Sequence, residues 1–223
     1  MNERPIPLVA ALSGLASVVL LFVGQGIGGG GSSPDPTKSR AEHLAWLTKQ
    51  HASTRGYAGV YLELLGILLM IVFAATLWSV LRKGDETGIF AATAFGAGLT
   101  SAAVKLASVP AAFALYWRSD QGWSPQVATA LFDMNDAAFV LTWAIDAVML
   151  GAAAYVILRS GVLPRWLGWL AVVAGLISIA TVPVALKAPP LGILLTFIWL
   201  IGTSIVLTRR SLRGAPRRAV ATA

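Results

Sequence analysis

The sequence predicts an all-α, polytopic transmembrane bundle of about six helices, and three observations predict it. Six apolar stretches recur along the chain, each near or above the roughly 20 residues of helix that cross a bilayer. Charged residues make up 12% of the chain against 57% apolar residues, and the mean hydropathy is +0.74. Soluble domains carry about a quarter charged residues, so a water-exposed globule of this size would lack the charge to cover its surface. Finally, the charges that are present gather between the apolar stretches and are nearly absent within them.

The stretches run over Ile6–Val23, Gly56–Leu81, Gly88–Trp117, Ala128–Leu158, Leu163–Leu186 and Leu191–Thr208. The first, flanked by Arg4, has two readings. It is longer than a usual signal core and no Ala-x-Ala site follows, which favours a retained helix. The small-x-small run Gly24-Gln25-Gly26 keeps open a cleaved signal, which would leave five helices. The third stretch is longer than a bilayer needs, and Pro110 marks a kink near its far end. The first turns of the fourth are polar (Asp133, Asn135, Asp136), so that helix begins above the hydrocarbon.

Between the first two stretches lies the one long loop, residues 24–55. Gly28 to Ser33, followed by Pro34 and Pro36, is a flexible connector. Ser39 with Glu42 three residues later is a capping-box pattern, after which Leu44, Leu47 and His51 recur at helical spacing. Ala41–Ser53 is therefore expected as a short amphipathic helix on the membrane surface or a lid over the bundle. Small residues at four-residue spacing predict close helix packing: Ala94, Gly98 and Ala102 on the third helix, Ala147 with Gly151, and Ala171 with Gly175.

Orientation follows from lysine and arginine. Ten fall on the side of both termini: Arg4, Arg82, Lys83, Arg159, Arg165 and, in the basic tail over 209–223, Arg209, Arg210, Arg213, Arg217 and Arg218. Six fall on the other side: Lys38, Arg40, Lys49, Arg55, Arg118 and Lys187. The excess places both termini in the cytoplasm of a cell whose inner (plasma) membrane the chain spans several times. The tail directly follows a membrane helix, so its five arginines are expected on anionic lipid headgroups, with nucleic acid a distant second.

Charges inside the membrane are the pointed clue. One at mid-bilayer costs at least ~2.5–3.5 kcal/mol on insertion scales. Glu63, Lys105, Asp136 and Asp146 all stand within apolar stretches. At about 1.5 Å per residue they lie about 10, 18, 12 and 27 Å from the outer ends of their helices. The last figure is taken from Ala128, above the bilayer, so Lys105 and Asp146 are expected to meet near the midplane. On the fourth helix Asn135, Thr142 and Asp146 fall within about 40° of one another, with Asp136 one step round. That stripe must face protein or water. Glu63, Lys105, Asn135, Asp136, Thr142 and Asp146 are therefore the candidate intramembrane cluster. They form either a solute- or proton-handling cavity or an ion pair (Lys105 with Asp146 or Glu63) that fixes helix register.

Other chemistries find little support. The chain has no cysteine, so thiolate nucleophiles, disulfides and Cys-ligated zinc or iron–sulfur centres are excluded. His43 and His51 are eight residues apart with no third donor in view, so no metal site is expected. No Walker loop, Gly-x-Ser-x-Gly or His-Glu-x-x-His pattern occurs, and neither a catalytic set nor a cofactor is expected.

Asp136, an apolar helix, and then Leu158-Arg159-Ser160-Gly161-Val162-Leu163-Pro164-Arg165-Trp166-Leu167-Gly168 resemble a bacterial integral-membrane family known only as a domain of unknown function. Leu62-Glu63-Leu64-Leu65 in the second helix also resembles its pattern. Members of that family are similar in length with about six helices, which the resemblance implies here. The third helix departs from the family: an Arg followed by a Glu would be expected where this chain has Lys105 alone. The resemblance brings no reaction or substrate. Functionally, the leading expectation is a non-enzymatic accessory subunit that binds a membrane-protein partner or a second copy of the chain. The alternative is a small-solute or proton-coupled transporter using Glu63, Lys105, Asp136 and Asp146. An embedded enzyme would need a water-filled site around Glu63, Asp136 and Asp146.

Overall fold

Local sequence decides where the helices start and stop. In a computed structural model that describes residues 6–28, 39, 41–42, 45, 54–117, 124–185 and 190–214, six long helices form. They are α1 (Leu8–Gly28), α2 (Thr54–Leu81), α3 (Ile89–Trp117), α4 (Pro125–Ser160), α5 (Arg165–Thr181) and α6 (Leu191–Gly214). A 3-10 turn, Val182–Val184, continues α5. All six are long and apolar enough to cross a membrane, and no strand occurs among the described residues.

Caps explain the boundaries. Ser124 Oγ accepts the Val127 N–H at 3.3 Å and Pro125 takes the first turn, so α4 starts three residues before Ala128. Gly161, at φ 67°, ends it and donates its N–H to the Ile157 carbonyl at 2.9 Å. At the start of α3, the Asp85 carboxylate accepts the Ala91 N–H at 2.8 Å and the Thr87 hydroxyl at 2.9 Å. The Ala91 N–H, aided by the Thr87 hydroxyl, holds the Asp85 carboxyl below the usual carboxylate range. The Ser39–Glu42 capping box also forms: Glu42 Oε2 accepts the Ser39 N–H and hydroxyl, each at 2.9 Å. Ser39 Oγ in turn accepts the Glu42 N–H at 3.3 Å. Most of the surface helix expected over Ala41–Ser53, with His43 and His51, lies outside the described residues.

Two expected boundaries need correcting. The long connection does not begin at Gly24, because α1 continues through Gly28. Gly24 lies so close to α2 that a Cβ there would be 2.7 Å from the Gly59 carbonyl oxygen, and this contact carries the helix a further turn. The basic tail is likewise helical at its root. α6 runs through Gly214 and includes Arg209, Arg210 and Arg213, while Arg217 and Arg218 lie outside the described residues. Pro110 stands inside a continuous α3, where it removes the helical donor for the Leu106 carbonyl.

The helices form a closed ring. Each packs against its neighbours in sequence, and α6 returns to α1. Phe22 meets Phe197 edge-on at 5.2 Å, and the Ser211 hydroxyl donates to the Ile6 carbonyl at 2.7 Å. Small residues allow the approach, as expected of membrane bundles. Gly98 lies against Met149 and Ala74, and Gly175 against Ala147, whereas Gly151 has no such neighbour.

The ring interior is filled unevenly. From directly beneath Asp146 down to the α4–α5 turn it is packed with Phe73, Leu77, Met149, Leu150, Ile157, Leu167, Trp199 and Leu207, all at most 1% exposed. Trp199 anchors this core by donating its indole N–H to the Leu167 carbonyl at 3.0 Å. Toward the end that carries the long α1–α2 connection, polar side chains replace the large apolar ones and a cavity opens. The outer surface stays apolar, with Val19, Leu141, Val148, Leu176 and Ile198 exposed, as lipid contact requires.

Candidate functional site

The cavity has a volume of about 440 Å³ and is lined by α1, α2, α3, α4 and α6. That lies in the range of small-ligand pockets, about 300–1,000 Å³. Each helix places its contribution by periodicity. On α4, Asn135, Phe139, Thr142 and Asp146 recur every three to four residues and line one wall, with Asp136 beside them. They span about 16 Å along the helix axis. On α3, Ser101 and Lys105 are one turn apart; α2 supplies Glu63 and α1 supplies Gln25. Ile193, Thr196, Phe197 and Leu200 of α6 form the facing, mainly apolar wall.

The structure thus brings all six members of the candidate cluster to one cavity. Asp133, by contrast, is exposed and does not line it. The pairing within the cluster differs from expectation. Lys105 donates to Asn135 Oδ1 at 3.2 Å and lies 5.5 Å from the Phe139 ring centroid. The carboxylates acting on it are Glu63 and Asp136. Asn135 Nδ2 reaches back to Asp136 Oδ1 at 3.5 Å, a long contact. Lys105 does not take Asp146 as its partner. Asp146 is 5% exposed, has Ser101 as its hydrogen-bonding neighbour, and keeps Oδ1 buried with no partner among the described residues. The lysine stem carries its ammonium toward Asn135, a turn or more from the level where Asp146 stands.

Sequence reasoning missed Phe139, Ser101, Thr196 and Gln25. Phe139 follows Asn135 by four residues and Ser101 precedes Lys105 by four, so same-face spacing could have flagged both. Thr196 and Gln25 carry no such signal. Beneath the cavity, Ser17, Thr203 and Ser204 are fully buried, with hydroxyls that find no partner among the described residues. Thr142, by contrast, returns its hydroxyl to the Phe139 carbonyl at 2.6 Å. Among the described residues no group of three or more His, Cys, Asp or Glu side chains is placed to hold a metal ion.

At the opposite end, Arg209, Arg210 and Arg213 project from α6, and Arg210 donates to the Val162 carbonyl at 2.6 Å. That bond ties the root of the tail to the α4–α5 turn. Trp166 and Trp169 are exposed on α5 just after Arg165, an arrangement suited to a membrane interface.

A closed ring of six membrane-crossing helices around a charged interior cavity defines the class: a polytopic, all-α membrane protein with an intramembrane polar site. The family then follows from residues 9–208, which match the family described as a domain of unknown function, DUF4386, and the chain belongs to it. No curated protein and no solved structure matches the chain.

Proposed function

We propose that this chain binds a small solute in the intramembrane cavity and carries it, or protons exchanged with it, across the bilayer. One observation carries the reading: the intramembrane charges line a cavity of ligand size instead of neutralising one another in a dry pair. With both termini cytoplasmic, as the arginine distribution favours, the cavity opens toward the outer face. The exposed Arg209, Arg210 and Arg213 would then meet anionic headgroups on the inner leaflet.

The test is flux through purified protein in liposomes that hold a trapped pH dye, challenged with gradients of small amines, carboxylates and neutral sugars. Saturable flux or coupled proton movement is expected, and Ala102→Phe, which fills the cavity from α3, should reduce it at least about tenfold. Leak equal to that of empty liposomes for every solute, together with a co-purifying membrane partner, would favour the accessory subunit instead.

A further inference from the structure

The cavity already contains one positively charged nitrogen, and its surroundings describe the chemistry the site accepts. The Lys105 ammonium has an amide oxygen at 3.2 Å, an aromatic ring centroid at 5.5 Å, and the carboxylates of Glu63 and Asp136 as charged neighbours. Acceptor oxygens, an aromatic face and carboxylates gathered around one nitrogen are the elements of an ammonium receptor. The site is also larger than this lysine requires. Its volume is about 440 Å³, and Ile193, Phe197 and Leu200 offer an apolar wall for a hydrocarbon body. Two carboxylates, Glu63 and Asp136, act on Lys105, the one cationic side chain in the lining, so the lining favours a cation over an anion.

We propose that the cavity's ligand is a small protonated organic amine, and that Lys105 is its resident competitor in the cation subsite formed by Asn135, Phe139, Glu63 and Asp136. An arriving ammonium displaces that of Lys105, whose four-carbon stem can swing toward Asp146, where Oδ1 is buried without a partner among the described residues. The inference rests on reading the cavity as a solute site and names the class of solute.

The experiment measures binding to the purified full-length protein by calorimetry at neutral pH. The probes are phenethylamine, 2-phenylethanol as its neutral counterpart, and 3-phenylpropionate as its anionic one. Removing the competitor by Lys105→Met or Lys105→Gln should tighten phenethylamine at least about tenfold, the scale of a desolvated cation–π contact with a charge-assisted hydrogen bond. Lys105→Arg, which keeps a cation in place, should not tighten it, and neither variant should tighten the propionate. If phenethylamine gains nothing in either neutral variant while 2-phenylethanol binds wild type, the amine assignment fails and the solute cavity stands. If no probe binds any variant and the liposomes show no flux, both readings fail. If neither neutral variant folds, Lys105 is a structural cation and the competitor role is overturned.

Discussion

Replacing Asn135 with leucine separates the charge network seen in the structure from the ion pair suggested by the sequence. The Asn135 amide is the joint of that network: its oxygen takes the Lys105 ammonium at 3.2 Å and its nitrogen points to Asp136. A hydrogen bond to a charged group contributes about 1.5–3 kcal/mol; leucine keeps the branching and heavy-atom count of asparagine and its methyl groups can extend into the cavity, so Asn135→Leu should cost about that amount. Lys105→Met removes the same bond but also relieves the cost of holding the lysine charged, so its own sign is not diagnostic. The coupling energy is. A double-mutant cycle for Lys105 and Asn135 should return about 1.5–3 kcal/mol. The same cycle for Lys105 and Asp146 should return less, because Asp146 faces Ser101 and is not among the charges acting on Lys105. Equilibrium unfolding in mixed detergent micelles of fixed composition measures both cycles. A larger coupling with Asp146 than with Asn135, or a cost below about 0.5 kcal/mol for Asn135→Leu, would refute the reasoning.

Two further expectations concern the scaffold. At Gly192 a Cβ would stand 2.5 Å from Ser178 Cα and 2.6 Å from its backbone nitrogen, atoms that cannot step aside. Gly192→Ala should therefore destabilise by about 1–3 kcal/mol or more, read as a lower melting temperature. Gly151→Ala meets nothing within 4 Å and should be neutral or stabilising by up to about 1 kcal/mol; equal losses at both positions would contradict the packing described. The Asp85 carboxyl is held below its ordinary value chiefly by the Ala91 N–H, so its contribution is present above the unfolded value of about 3.9 and is lost as pH falls through the lower folded value. Wild type should lose stability relative to Asp85→Asn across that acid window, and parallel pH profiles for the two would dismiss the cap.

Most of the scaffold was legible because hydrophobic run length reports directly on membrane-crossing helices. The six expected stretches correspond to α1 through α6 with ends displaced by a few residues. The displacements have local causes: a Ser-Pro cap moved the start of α4, and the close approach of Gly24 to α2 extended α1. The identity of the cavity residues was legible for a different reason. A polar stripe on an apolar helix cannot face lipid, so angular position alone brought Asn135, Thr142 and Asp146 to one wall. The pairing was not legible. Depth along a helix axis places Cα atoms, whereas a lysine ammonium stands several bonds away and can reach a turn in either direction. Lys105 and Asp146 looked matched in depth, yet the ammonium meets Asn135 and Phe139. The contribution of α6 was hidden because Thr196 among apolar neighbours carries no sign of what it faces.

The uneven filling of the ring argues for a site over mere register fixing. A closed ring keeps a similar girth along its length, so its interior must be filled by side chains or left open. Directly beneath the cavity it is filled by Phe73, Met149, Leu150 and Trp199, and the core there is tightly packed. Had Lys105 and an acid served only to set helix register, one well-hydrogen-bonded pair in a packed interior would have sufficed, and apolar residues of similar volume could have been as stable. The other half instead combines four ionisable groups with an open volume of about 440 Å³ and leaves Asp146 Oδ1 buried with no partner among the described residues. Each of those choices lowers stability on its own, and the packed half is what allows the fold to sustain them. An interior that gives up packing and hydrogen-bond satisfaction together in one place is arranged around something other than its own side chains.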